Sequence, residues 1–125
     1  MAELRDAAAA RRVEREQLAA TERARKRARR ERDAALARDK RLDELALHEE
    51  QAWDQVDASI ETKKPDGYDS AVELLSDLRA VSERNGRPEA FAKRFAQLRE
   101  QHLKKSSLLE RFDRAGLDRD GREPR

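Results

Sequence analysis

Leu42-Asp-Glu-Leu-Ala-Leu-His-Glu-Glu-Gln-Ala-Trp-Asp-Gln-Val-Asp-Ala-Ser-Ile60 is the stretch on which the fold turns. Leu42, Leu45, Ala46, Ala52, Trp53, Val56 and Ile60 recur in it at three- and four-residue steps and their multiples, which lays one apolar stripe along a helix. The same stretch marks a boundary. Among the first 40 residues only Leu4, Val13, Leu18 and Leu36 are large and aliphatic, whereas residues 41–117 carry eighteen Leu, Ile, Val or Phe together with Trp53 and Tyr68. The chain therefore divides into a charged segment, residues 1–41, a helical module with a core, residues 42–117, and a short frayed tail, residues 118–125.

Toward the C-terminus, Lys63-Lys-Pro-Asp-Gly67 predicts a turn, because Pro and Gly together punctuate a helix. A helix is expected from about Tyr68 to Arg84, with Ala71, Val72, Leu74, Leu75, Leu78 and Val81 as its stripe. Ser70-Ala-Val-Glu73 fits a capping box for its start, with Asp66 and Asp69 as alternative N-caps. Asn85-Gly86 supplies a left-handed stop, and Pro88 opens a third helix where its missing N–H costs nothing. That helix, about Pro88 to Lys104, buries Phe91, Phe95 and Leu98, with His102 or Leu103 extending the line. Ser107-Leu-Leu-Glu110 is a second capping-box match, opening a short helix that carries Leu108, Leu109 and Phe112 and ends at Gly116. Helices of this length on short loops pack as antiparallel neighbours. The expected anchors of the core are Trp53, Val56, Ile60, Tyr68, Leu75, Leu78, Phe91, Phe95, Leu98 and Phe112.

Toward the N-terminus nothing stops a helix between about Ala2 and Thr62, a stretch without Pro or Gly. Ala occurs 21 times and Arg 22 times in the chain, both strong helix formers. Heptads counted from Leu4 place Arg11, Leu18, Arg25, Arg32 and Asp39 at the seam positions, which is no coiled-coil seam in its middle. The segment is therefore expected to be a solvated single helix or a coiled-coil-like half of a weak helix pair. Its alanines add propensity and a small apolar surface. Opposite charges at helical spacing, among them Glu22–Lys26, Arg12–Glu16, Arg27–Glu31 and Arg29–Asp33, are expected to add a few tenths of a kcal/mol each. The fold class is all-α: a long charged helix leading into a small antiparallel module.

Part of the module resembles known sequences. Gly67-Tyr-Asp-Ser-Ala-Val-Glu-Leu-Leu75, following a helix that bears Trp53, is similar to the second helix of a tetratricopeptide repeat, although one hairpin forms no array. Residues 52–117 resemble the C-terminal helical segment of SWIM-type zinc-finger proteins and of uncharacterised proteins from high-GC Gram-positive bacteria. Ala52-Trp-Asp-Gln-Val, Lys63-Lys-Pro-Asp-Gly-Tyr-Asp-Ser-Ala-Val, Leu74-Leu-Ser-Asp-Leu-Arg and Ser107-Leu-Leu-Glu-Arg-Phe-Asp-Arg-Ala-Gly-Leu117 carry the likeness. It implies a helical fold and a bacterial source. It brings no zinc, because the chain has no cysteine, and no catalytic role.

Charge supplies the functional reading. Residues 1–44 hold 14 basic and 10 acidic side chains, a net of +4, against a net of −2 over residues 45–125. In Arg23-Ala-Arg-Lys-Arg-Ala-Arg-Arg-Glu-Arg32 seven of ten residues are basic: Arg23, Arg25, Lys26, Arg27, Arg29, Arg30 and Arg32. Such a run can neutralise phosphates and give salt-dependent, sequence-tolerant binding to nucleic acid. Eight acidic residues between 11 and 44 blunt the field, and no aromatic lies there to stack on bases. A solvated or partner-facing helix is the plainer reading.

Glu50, Asp54, Asp57 and Glu61 make an acidic line at i, i+4, i+7 and i+11, expected to pair with Arg79, Lys93 or Arg94. A di-metal bundle would need Glu-x-x-His on facing helices, which is absent. His48 and His102 read as surface or edge residues. Asp118-Arg-Asp-Gly121 does not complete a calcium loop, since its twelfth position falls past Arg125. No phosphate loop, nucleophile triad or dinucleotide motif is present, so neither enzymatic activity nor a cofactor or metal is expected. The N-terminus lacks a signal-peptide apolar core, no stretch could span a membrane, and the first 40 residues have no Trp or Phe and too few Leu to insert into one. The sequence thus predicts a cytoplasmic, non-enzymatic interaction or scaffold protein that self-associates or binds a protein partner, with phosphate binding through the basic helix as the alternative.

Overall fold

The computed structural model describes residues 2–118, and their side chains from Arg5 onward. Among these residues all the regular structure is helical: α1 (Ala2–Ala46), α2 (Glu49–Glu61), α3 (Pro65–Arg84), α4 (Pro88–Gln101) and α5 (Ser106–Arg114). It forms two compact units, one through Asp39 and the other from Lys40 onward. Of the expected tail, residues 119–125 lie outside the described residues.

In the second unit α3 is central, packed against α2, α4 and α5. Its N-terminus lies beside the end of α2, where Gly67 meets Ser59 and Thr62, and its last turns share a cleft with Glu49 and Trp53 from the start of α2. The two helices are therefore antiparallel. The core holds Trp53, Val56, Ile60, Tyr68, Leu75, Leu78, Phe91, Phe95, Leu98 and Phe112, with Ala52, Ala71, Leu108 and Leu117. A chain of rings crosses it. Trp53 and Phe91 lie 5.8 Å apart, Phe91 stacks on Phe95 at 5.9 Å, and Phe95 meets Phe112 edge-on at 5.0 Å, which ties α2, α4 and α5 together.

The continuous first helix expected from the sequence is broken. α1 ends at Ala46, and Leu47 and His48 donate to the carbonyls of Glu44 and Leu45, three residues back rather than four. No Pro or Gly causes this. Continued straight beyond Glu49, residues 41–43 would run roughly 10 Å past the end of α3, at ~1.5 Å per residue. The break instead brings Leu42 to rest beside Val81 and Arg84, where it is only 1% exposed. Arg41 pairs with Asp77 at 3.2 Å and Arg84 with Asp43 at 2.8 Å. Burial of one leucine outweighs the loss of a helical hydrogen bond at an exposed joint. Ala46, assigned to the apolar stripe by its spacing, faces solvent.

Helix starts differ from expectation as well. Pro65 opens α3 at its first turn, so Pro65-Asp-Gly67 begins a helix rather than forming the turn. Neither capping box is used: the N-cap residues of α3 and α5 are Lys64 and Lys105, without side-chain caps. α4 stops at Gln101, which leaves His102 half-buried and Leu103 58% exposed. Helix ends follow the glycines. Gly86 and Gly116 adopt φ of 67° and 68°, and the bonds Arg87 N–H to Ser82 O and Leu117 N–H to Phe112 O complete Schellman stops at both.

Candidate partner-binding surface

The basic run occupies the middle of α1, in the first compact unit, and helical structure there comes from propensity alone. Every described side chain from Arg5 to Arg41 is exposed except Ala8 and Ala28, which are half-buried. Val13, Leu18 and Leu36 are 50%, 70% and 68% exposed. Arg23, Arg25, Lys26, Arg27, Arg29, Arg30 and Arg32 all face solvent, and among the described residues none forms an ion pair. The i,i+4 pairs expected from spacing are thus not closed, since holding two long exposed side chains in one geometry gains little in water.

At about 100° of turn per residue the seven cations fall into two ridges. Lys26, Arg30, Arg23 and Arg27 make one, and Arg32, Arg25 and Arg29 the other; their edges come within about 60° of each other on one side of the helix, at Lys26 and Arg29, and stand about 140° apart on the other, at Arg27 and Arg32. Between them runs a face of small residues, Ala20, Ala24, Ala28 and Ala35, interrupted by Glu31. Composition alone assigns these alanines helix propensity and a small apolar surface, without placing them on one face. The signal for the face was their spacing of four and seven, visible only once the ridges on either side are drawn.

The acidic line on α2 is resolved differently. Glu50 accepts two hydrogen bonds from Arg94, at 2.5 and 2.8 Å, and these hold its carboxyl below the usual carboxylate range while raising the guanidinium. Arg94 also lies over the Trp53 ring, 4.7 Å from its centroid. Of the other cations proposed for this line, Arg79 turns away, to Glu83 at 3.3 Å and to the Gly116 carbonyl at 2.7 Å, and Lys93 is exposed. The cleft of about 150 Å³ lined by Glu49, Trp53, Ser82, Arg87, Phe91 and Arg94 is thereby crossed by the module's own ion pair. His102 accepts a hydrogen bond at Nδ1 from the Lys105 ammonium at 3.0 Å, and its pKa is lowered, first by burial and then by that charge. His48 is exposed at the joint between α1 and α2. Among the described residues no group of His, Asp and Glu could hold a metal ion, and no helix is long and apolar enough to cross a membrane. No family model, curated protein or solved structure matches the chain.

Proposed function

We propose that this is a non-enzymatic interaction protein, in which α1 is an arm offered to a partner and residues 40–118 form the helical platform that carries it. The observation behind this reading is that α1 is helical over residues 5–39 while burying none of the large side chains of that stretch. A helix without a packed face is either solvated or completed by another molecule. The platform, by contrast, satisfies its own chemistry: among the described residues no buried side-chain polar atom lacks a partner. The likeness of residues 52–117 to the helical segment accompanying SWIM-type zinc fingers belongs to the same proposal, as a platform without the finger.

Affinity capture with the full chain and with a chain lacking residues 1–39 tests it. A partner retained in stoichiometric amount by the full chain and lost on truncation is the expected outcome. A full chain that sediments as a monomer and retains nothing would overturn it. Phosphate binding is the second reading, favoured by the exposure of all seven cations of the run.

A further inference from the structure

We propose that residues 23–32 of α1 lie in the major groove of duplex DNA, with the Ala24–Ala28 face toward the base edges and one cationic ridge on each phosphate backbone. This rests on the reading of α1 as an arm and names its partner by chemistry.

Charge density comes first. Seven cations occupy ten residues of helix, about 15 Å of axis. Duplex DNA presents one phosphate charge per ~1.7 Å, about nine over the same length. A second copy of the chain is a poor occupant of this surface, because parallel pairing, or antiparallel pairing centred on the run, sets these cations against one another.

The arrangement of the cations then selects the duplex. A basic helix lying on one backbone needs a single ridge, whereas two ridges separated by a face of small side chains suit a groove with phosphates on both walls. The major groove of B-DNA, ~12 Å wide, admits an α-helix of about 10–12 Å diameter. Alanine methyls on the inward face permit close approach and can touch thymine methyl groups. The long stems of Arg and Lys cover the flanks of the helix and leave their charged heads free to reach outward. Ala28 is the one residue of the run that is half-buried, as expected beneath such stems.

Other nucleic acids fit less well. The major groove of A-form RNA is too deep and narrow for a helix to enter. Single strands are held by stacking on aromatic side chains, and the first aromatic residue of this chain is Trp53. Because phosphates supply most of the interaction, binding should be tolerant of sequence. Glu31, on the inward face, opposes it.

Fluorescence anisotropy of the full chain tests the assignment, with mixed-sequence duplex DNA, duplex RNA and single-stranded DNA of equal length, and polyglutamate as a competing polyanion. Duplex DNA is expected to bind best, with affinity falling ~10³-fold between 50 and 200 mM salt for six or seven phosphate contacts. The triple variants Arg23→Gln/Arg27→Gln/Arg30→Gln and Arg25→Gln/Arg29→Gln/Arg32→Gln should each flatten the slope of log K against log salt by about 3. Ala24→Leu/Ala28→Leu leaves charge unaltered and keeps good helix formers; it should remove the preference for duplex DNA over duplex RNA and weaken DNA binding about tenfold. Circular dichroism of each variant checks that helicity is unchanged.

Equal binding to RNA and polyglutamate, an effect confined to one ridge, or indifference to the leucines would overturn the groove assignment and leave the arm reading in place. No binding to any polyanion at low salt would likewise overturn it, and the capture experiment then decides independently whether α1 is an arm for a protein.

Discussion

Gly67 is helical, yet its value lies in the side chain it lacks. A Cβ at this position would overlap the Thr62 hydroxyl and the Ser59 carbonyl, so the glycine lets the first turn of α3 lie directly on the end of α2. Replacing a helical glycine with alanine ordinarily gains up to about 1 kcal/mol of propensity, whereas overpacking against backbone costs about 1–3 kcal/mol. Overlap should win. Gly67→Ala is expected to lower stability by roughly 1–2 kcal/mol in chemical denaturation. A gain in stability would show that α2 and α3 are not held this closely. Arg94 illustrates the same dependence on neighbours: its place over Trp53 and against Glu50 turns one member of an acidic line into a structural ion pair.

At the scale of elements, the joint between α1 and α2 decides how the second unit is completed. Leu42 sits on the last turns of α3 only because the helix breaks at Leu47 and His48. Truncating a fully buried leucine costs about 2–5 kcal/mol, while exposed apolar residues away from such features change stability by less than about 0.5 kcal/mol. Leu42→Ala should therefore destabilise the protein strongly, whereas Leu36→Ala and Leu47→Ala, at 68% and 77% exposed positions, should be nearly silent. Thermal unfolding of the three variants side by side makes the comparison. Equal effects would place Leu42 outside the core.

For the molecule as a whole, the core cluster draws on α2 to α5 and the segment after α5, and Leu42 adds a single buried side chain from the end of α1. Among the described residues, those before Lys40 contribute none of its buried side chains. A chain beginning at Lys40 should thus unfold cooperatively with a midpoint within a few degrees of the full-length protein, while the helical signal lost on truncation should melt gradually, as an isolated helix does. Calorimetry and far-ultraviolet circular dichroism of both chains separate these signals. A large fall in the midpoint on truncation would mean that the arm helps to hold the platform together.

The sequence by itself determined the all-α class, the main anchors of the core from Trp53 to Phe112 and the glycine stops of α3 and α5. These follow from periodicity and from the need for φ > 0 at Gly86 and Gly116, both of which are local. It also placed the concentration of cations, since seven in ten residues leave little to arrangement. Tertiary structure alone decided the break at Leu47 and His48, the helical state of Pro65-Asp-Gly67 and the choice of Arg94 as the partner of Glu50. In each case the deciding contact comes from a residue far along the chain: Val81 beside Leu42, Ser59 beside Gly67, Arg94 beside Glu50. Spacing along one helix cannot encode which neighbour will lie across from it, and burial against that neighbour outweighs the local preference.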